Sequence, residues 1–404
     1  MLLQSLRLKN FKAVENAVLN LNGKSTVFFG VNGVGKSTVL RAVSLIMTDV
    51  ISRLSGGKYQ PKKRIEGADI AHGKEKYRLE ADFSFENGEK VTCVREGFQQ
   101  EPNIQINAFC EKFKNNYLAS SSDMPIFAAY STHRMVYDIQ LTKRNTDELE
   151  QLAAFDDAVS AISDFSSFFS WFYSCETAAK EGNERAGHSL AIIREVVTEM
   201  LDGVTNLRLG DTEGLIVTKN GLDLSADELS DGEKCTLALF GDLAMRLVLA
   251  NPQRDNPLDG SGIVLIDEIE LHMHTLWQRR ILSTLDRLFP NLQFLITTHS
   301  PQVLGEIGGE YNIYAVLGQN RNVSFRPVKG LKGWDSNYIL EEFLGTSHIN
   351  QETKNLIRRM YDAIGKRDFI AAEALVDQLE RMTDPANADV VKARILIGRG
   401  QRKG

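Results

Sequence analysis

The eight residues Gly30-Val-Asn-Gly-Val-Gly-Lys-Ser37 constrain this chain more than any other segment. They match GxxxxGK[ST], and they sit where that pattern acquires physical meaning, between the apolar run Val27–Phe29 and a helical stretch expected from Lys36 to about Leu54. Glycines at 30, 33 and 35 allow the backbone to wrap round phosphate groups with several N–H groups pointing inward, and the following helix N-terminus adds favourable partial charge. Lys36 is expected to reach the β- and γ-phosphates and the Ser37 hydroxyl to ligate Mg²⁺, with Asn32 and Thr38 completing the loop. An ordinary glycine-rich turn would not need all four fixed positions between a strand and a helix.

A second element follows far along the chain. Ile263-Val-Leu-Ile266 reads as a buried strand that ends in Asp267 and Glu268. Two adjacent carboxylates at the end of such a strand are costly unless they are used. Asp267 suits Mg²⁺, and Glu268 suits polarisation of an attacking water.

Leu229-Ser-Asp-Gly-Glu-Lys234 opens a helix expected over 231–250, with Ser230 and Glu233 spaced as a capping box. The apolar run 293–297 then leads into Thr298-His299-Ser300-Pro301, placing a histidine directly after a core strand. Taken in order, phosphate loop, LSDGE, IVLIDE and TTHSPQ resemble the ABC-type ATPases, particularly the RecF, SMC and OLD-like branch. That resemblance implies a P-loop NTPase of α/β class with an ABC-type mixed sheet. It also implies that Ser230 and the Gly232 backbone contact the γ-phosphate held by a second copy, and that His299 senses the γ-phosphate. Asp231 stands where the family usually has glycine, and Glu233 where it usually has glutamine. A carboxylate there repels phosphate unless it is paired or points away. The opening Leu8-Lys-Asn-Phe-Lys12 resembles the first strand of the same branch, which puts Lys12 near the nucleotide. Glu270–His274 falls where the family places a dimer-contact loop; the spacing of His272 and His274 is not a metal motif. Ala128–Arg134 is the candidate for the family's Q-loop region, with Tyr130 and Arg134 as its marked residues.

The chain has 404 residues and a formal charge of −6, with 43% hydrophobic and 25% charged residues. That is enough for two or three lobes of an ordinary globular protein. The charge balance leaves DNA as a partner only through a local basic surface. No stretch reaches the roughly 18 to 20 apolar residues that cross a bilayer. The N-terminus carries no signal-peptide pattern, so a cytoplasmic location is expected. Four scattered cysteines suggest neither zinc nor disulfides.

The organisation expected is an ATPase N-terminal part over 1–145, including an antiparallel β patch with an Asn87-Gly88 hairpin. A helical lobe over 146–205 would bury Phe165, Phe168, Phe169 and Phe172. The ATPase C-terminal part covers 206–345. A small helical C-terminal interaction module spans 346–404, with Leu356, Met360 and Ile364 on one helix and Ile370, Ala374, Leu375, Gln378 and Leu379 on the next.

The interval between Lys36 and Leu229 is too wide for a transporter motor, and it holds no sustained heptads for a long coiled-coil arm. Within the short-armed members, the length, the C-terminal helices and Asp267–His274 resemble the PtuA-type ATPases of Septu and retron-linked anti-phage systems. Those imply a homo-oligomer of head-to-tail dimers and an HNH nuclease on another polypeptide, since no nuclease motif is evident here. A stand-alone DNA clamp and an ATP-bound oligomer with negligible turnover are the alternatives.

Overall fold

The computed structural model describes residues 1–58, 65–98, 102–118, 123–134, 151–159, 166–210, 214–319, 322–345, 350–383 and 386–401. These fall into two compact units, 1–334 and 335–404.

In the first unit the chain begins with β1 (Leu2–Phe11), β2 (Val14–Asn20) and β3 (Thr26–Phe29), then α1 (Ser37–Leu54). β4 (Tyr77–Ser84), β5 (Lys90–Gly97) and β6 (Pro102–Gln105) follow, then α2 (Asn107–Phe113) and β7 (Ile126–Tyr130). β4 alternates buried and half-buried residues, the period of a sheet with one covered face. It turns into β5 at Asn87-Gly88, where Gly88 has φ +82°. The antiparallel sheet formed this way has the order β2-β1-β4-β5-β6. The run Asn103–Phe109, strand-like in sequence, divides: β6 stops at Gln105, and Phe109, Cys110 and Phe113 turn inward on α2.

Next come α3 (Ser166–Lys180), α4 (Glu184–Met200), the three-stranded antiparallel sheet of β8 (Val204–Leu209), β9 (Leu215–Lys219) and β10 (Leu222–Ser225), and α5 (Asp231–Ala250). Every residue of α5 from Cys235 onward is buried. Phe168, Phe169 and Phe172 are buried, and the Phe168 ring lies against Gly241 of α5, where a Cβ would come within 2.4 Å of it. The aromatic-dense segment therefore fills core, as aromatics at helical spacing usually do. Phe165 lies outside the described residues.

β11 (Gly262–Ile266), α6 (Thr275–Leu288), β12 (Leu292–Thr298), α7 (Pro301–Leu304), β13 (Asn312–Gln319) and β14 (Asn322–Val328) complete the unit. The central sheet has the order β14-β13-β3-β12-β11-β7, parallel except for the β13–β14 pair. β3, β7, β11 and β12 are buried at every position, the composition a parallel sheet covered on both faces requires. Register pairs Phe29 with Thr298, Ile266 with Ile296 and Ile266 with Tyr130. Gly30, Ser131, Asp267 and His299 consequently leave the sheet along one carboxyl edge, where ligands bind in open α/β sheets.

The second unit holds α8 (Ser336–Glu342), α9 (Gln351–Gly365), α10 (Phe369–Met382) and α11 (Ala388–Gln401). Leu356 and Met360 of α9 pack with Ala372, Val376 and Leu379 of α10 and Val390, Ala393 and Ile397 of α11. The inward face of α10 is rotated from the expected one. Ile370 is 85% exposed, and the i, i+4, i+7 series from Ala372 takes the core.

Candidate functional site

Two glycines of the 30–37 turn are there for different reasons. A Cβ at Gly30 would meet the Val316 carbonyl oxygen at 2.7 Å, and Gly33 has φ +76° with open space beside it. Lys36 is only 5% exposed and its Nζ donates to the carbonyls of Gly30 (3.0 Å) and Val31 (3.1 Å), which draws the loop into a ring. Burial lowers the Lys36 pKa, and the carboxylates of Glu268, Glu270 and Asp267 oppose that shift. Behind it Thr38 is buried, its N–H bonded to the Gly35 carbonyl. Asn32 is exposed on the turn.

The decisive contact spans 230 residues of sequence: the Ser37 hydroxyl donates to Asp267 Oδ1 at 2.9 Å. Thr297 of the intervening strand β12 donates its own hydroxyl to the same oxygen, and accepts the Glu268 N–H at 2.8 Å. Glu268 has φ +47°, a left-handed backbone that costs a non-glycine residue roughly 1–2 kcal/mol and persists only where neighbours hold it. Arg134 holds it from the other side. That side chain is 1% exposed, donates from Nη2 to the Glu268 carbonyl at 2.6 Å, and from Nη1 to the carbonyls of Asp267 and Ser131. Desolvation lowers its pKa, offset by Cys235 and by the carboxylates of Asp267, Glu270 and Glu268. Its own carbonyl accepts from the Cys235 thiol on α5 at 3.2 Å. Tyr130, the other residue marked in this segment, is fully buried and donates to Asp242 of α5, which Arg246 also grips.

His299 follows β12 as expected, with 41% of its side chain exposed. Its Nδ1 lies 2.9 Å from Glu270 Oε1, and the His299 main-chain N–H donates to that oxygen at 2.6 Å. The carboxylate raises the His299 pKa above its ordinary value against the effect of burial. Burial acts to raise the Glu270 pKa, and the bonds from His299 more than reverse it.

Lys12 has φ +51° and its turn is tied down by the loop that carries Asp69: the Lys12 N–H donates to the Asp69 carbonyl at 2.7 Å, and Nζ lies 3.8 Å from Asp69 Oδ1. Arg41 of α1 grips both Asp69 oxygens, at 2.6 and 2.5 Å. Lys12, Ser37, Arg41, Ser131 and Asp267 line one cavity of about 180 Å³.

Ser230 is exposed and is the N-cap of α5, in a complete capping box with Glu233. The Glu233 carboxylate accepts from Ser230 Oγ at 2.8 Å and pairs with Lys219 of β9. Burial pushes its pKa up, and these partners hold it below the ordinary value. This carboxylate is thus paired within the chain, while Asp231 is exposed. Gly232 touches the loop after Glu268: a Cβ would fall 2.3 Å from the His272 carbonyl oxygen. Ser230, Gly232, Glu233, His272, His274 and Trp277 line a second cavity, of about 580 Å³, which shares no lining residue with the first.

Residues 25–305, which contain all of these segments except Lys12 and its turn, match the family described as "AAA domain, putative AbiEii toxin, Type IV TA system". The chain belongs to that family. Within the AAA relatives, it is 28% identical to the Retron Ec83 probable ATPase of Escherichia coli, over 87% of this chain and 79% of that one. It is 27% identical to the Retron Vc95 probable ATPase of Vibrio cholerae serotype O1 biovar El Tor, over 76% of this chain and 72% of that one. The Septu protein PtuA of Bacillus thuringiensis is 22% identical over 85% and 84% of the two chains. In fold the AAA chain is similar to an SMC head bound to the C-winged helix domain of ScpA, with a TM-score of 0.52 and 15% identity over 81% of this chain and 98% of that one.

Sequence reasoning missed Thr297 and the Glu270–His299 pair. A threonine inside a fully buried strand is itself a signal, because its hydroxyl needs a partner there.

Proposed function

We propose that this chain binds ATP with Mg²⁺ and hydrolyses it slowly, as a nucleotide-gated switch in anti-phage defence. The Ser37–Asp267 contact carries the reading, because it brings together the hydroxyl and the carboxylate that the chemistry asks for. Both are hard oxygen donors, the set that Mg²⁺ takes, so the residues present fit the ion. When bound, Mg²⁺ supplies charge neutralisation at the phosphate oxygens. Lys36 and the N–H groups of the loop from Gly30 to Thr38 hold the phosphates. Glu268 orients and polarises the water, and His299, whose pKa Glu270 raises, reads the terminal phosphate. Lys12 lies in the cavity beside Ser37 and suits the same polyphosphate.

Two copies would meet head to tail, with Ser230 and the Gly232 backbone of one facing the phosphate loop of the other. Separate lining of the two cavities supports this, as does the pairing of Glu233 by Lys219, which partly neutralises the carboxylate that Ser230 also bonds. Mixing tests it. Lys36→Ala and Ser230→Arg chains, each inactive alone, should regain ATP turnover when combined, since one hybrid site keeps an intact loop and an intact serine. No recovery, with mixed dimers demonstrated, would remove the shared site.

The retron and Septu relatives support the defence reading, and an HNH-type nuclease regulated by this chain, docked through the helices of 350–400, is the partner we propose. No helix among the described residues is long and apolar enough to cross a membrane. In cells carrying the full operon, Lys36→Ala and Glu268→Gln should each abolish phage protection; intact protection in either counts against the switch. Tight ATP-dependent DNA binding by this protein alone would favour the stand-alone clamp instead.

A further inference from the structure

We infer that Arg134 is a positioning residue for hydrolysis: through main-chain contacts alone, it fixes the direction in which the Glu268 carboxylate points. The inference rests on the reading of Glu268 as the residue that polarises water.

Arginine side chains in protein interiors usually meet carboxylates. This one is buried to 1% exposure and directs its fork at main-chain carbonyls, those of Asp267 and Glu268 among them. A planar guanidinium has its donors in a fixed geometry, so bonding two consecutive carbonyls sets both peptide planes at once. The Glu268 N–H is meanwhile held by Thr297. With its N–H and C=O both tied, Glu268 keeps φ +47° and its Cα–Cβ bond keeps one direction. The Glu268 carbonyl also accepts the Leu271 N–H at 2.9 Å, a single bond that leaves the peptide plane free to turn; loss of the Arg134 fork would let the residue relax toward the ordinary right-handed region, which swings the carboxylate away. Asp267 has a separate anchor in the hydroxyls of Ser37 and Thr297, so nucleotide binding need not follow Glu268. The Cys235 thiol bonds the Arg134 carbonyl and fixes the clamp to α5.

The test compares Arg134→Lys, Arg134→Gln, Glu268→Gln and the double variant Arg134→Lys/Glu268→Gln by ATP turnover, affinity for Mg-ADP and melting temperature. A lysine keeps the charge and loses the fork; a glutamine avoids leaving an unmatched cation in the core. In whichever single Arg134 variant is folded, kcat should fall about tenfold or more while Mg-ADP affinity stays within about threefold. The double variant should be no slower than Glu268→Gln alone, because the two residues act as one unit. Wild-type turnover in the Arg134 variants beside a dead Glu268→Gln overturns the positioning role and leaves the Glu268 reading standing. Equal loss of affinity and kcat overturns it as well, since Arg134 would then serve the nucleotide directly. Undiminished turnover in Glu268→Gln brings down the reading beneath it.

Discussion

At the carboxyl edge of the central sheet the polar groups are bonded to one another: Ser37 to Asp267, Thr297 to Asp267 and Glu268, Arg134 to the peptides of both, Glu270 to His299. At the N-terminus of α5 the arrangement is the reverse. Ser230 is exposed, and among the described residues its side chain bonds only Glu233, one turn along the same helix. The first region is assembled from strands that meet only in the folded core. The second is local, made by four consecutive residues and one lysine from β9. On the proposed reading, buried long-range bonds hold one half of the site, and the surface helix cap is the half that a second copy would supply and withdraw.

Breaking each region in turn should expose that difference. The largest effect is expected for Glu268→Gln, which keeps the backbone clamp and removes the carboxylate proposed to polarise the water: kcat should drop by about 10² to 10⁴ with nucleotide affinity preserved, read by single-turnover hydrolysis and titration. Lys36→Ala should weaken ATP binding by roughly 10- to 100-fold, the value of losing one charge-assisted contact, in equilibrium titration of the isolated protein. Ser230→Ala should leave that first-half affinity alone. Its cost in stability is about 1 kcal/mol from the lost N-cap, and its larger effect should be on turnover at protein concentrations where copies associate. If Ser230→Ala weakened ATP binding in the dilute, unassociated chain, the two halves would not be separable as described.

The smallest effect is one of pH. The His299 pKa is raised in the fold by Glu270. Stability from that pair is therefore fully present below the unfolded histidine value of about 6.5 and is lost as pH rises through the higher folded value. The melting-temperature gap between wild type and His299→Gln should narrow as pH is raised from about 6 to about 9. A gap that widened with pH would place the proton elsewhere.

Much of this was legible because the relevant patterns are local. Strand, glycine turn and helix follow one another from Thr26 to Leu54, and the apolar runs before Asp267 and Thr298 could only be core strands. The helix from Asp231 to Ala250 announced itself by its capping box. What stayed hidden is long-range or carried by the backbone. Arg134 was marked only by its place after β7, since a side chain that bonds main-chain carbonyls leaves no partner pattern in a sequence. The left-handed backbone of Lys12 and Glu268 is equally invisible, because neither residue type advertises it. Asn103–Phe109 read as strand because polar and apolar residues alternate from Asn103 to Asn107, and the burial of Phe109, Cys110 and Phe113 that decides for helix extends past its end. On α10 the spacing outlined a face of Ile370, Ala374, Leu375, Gln378 and Leu379, of which Leu379 is in the core, where it joins Ala372 and Val376 against the neighbouring helices, while Ile370 is exposed.

The closeness of Gly232 to the His272 carbonyl has a further meaning. Only a hydrogen atom fits between the turn that starts α5 and the segment just downstream of Glu268, so these two stretches behave as meshed teeth and neither can slide without displacing the other. A methyl group added at position 232 would jam them. Loss of function from that change would therefore report a mechanical block inside one subunit, whether or not any phosphate ever touches that backbone.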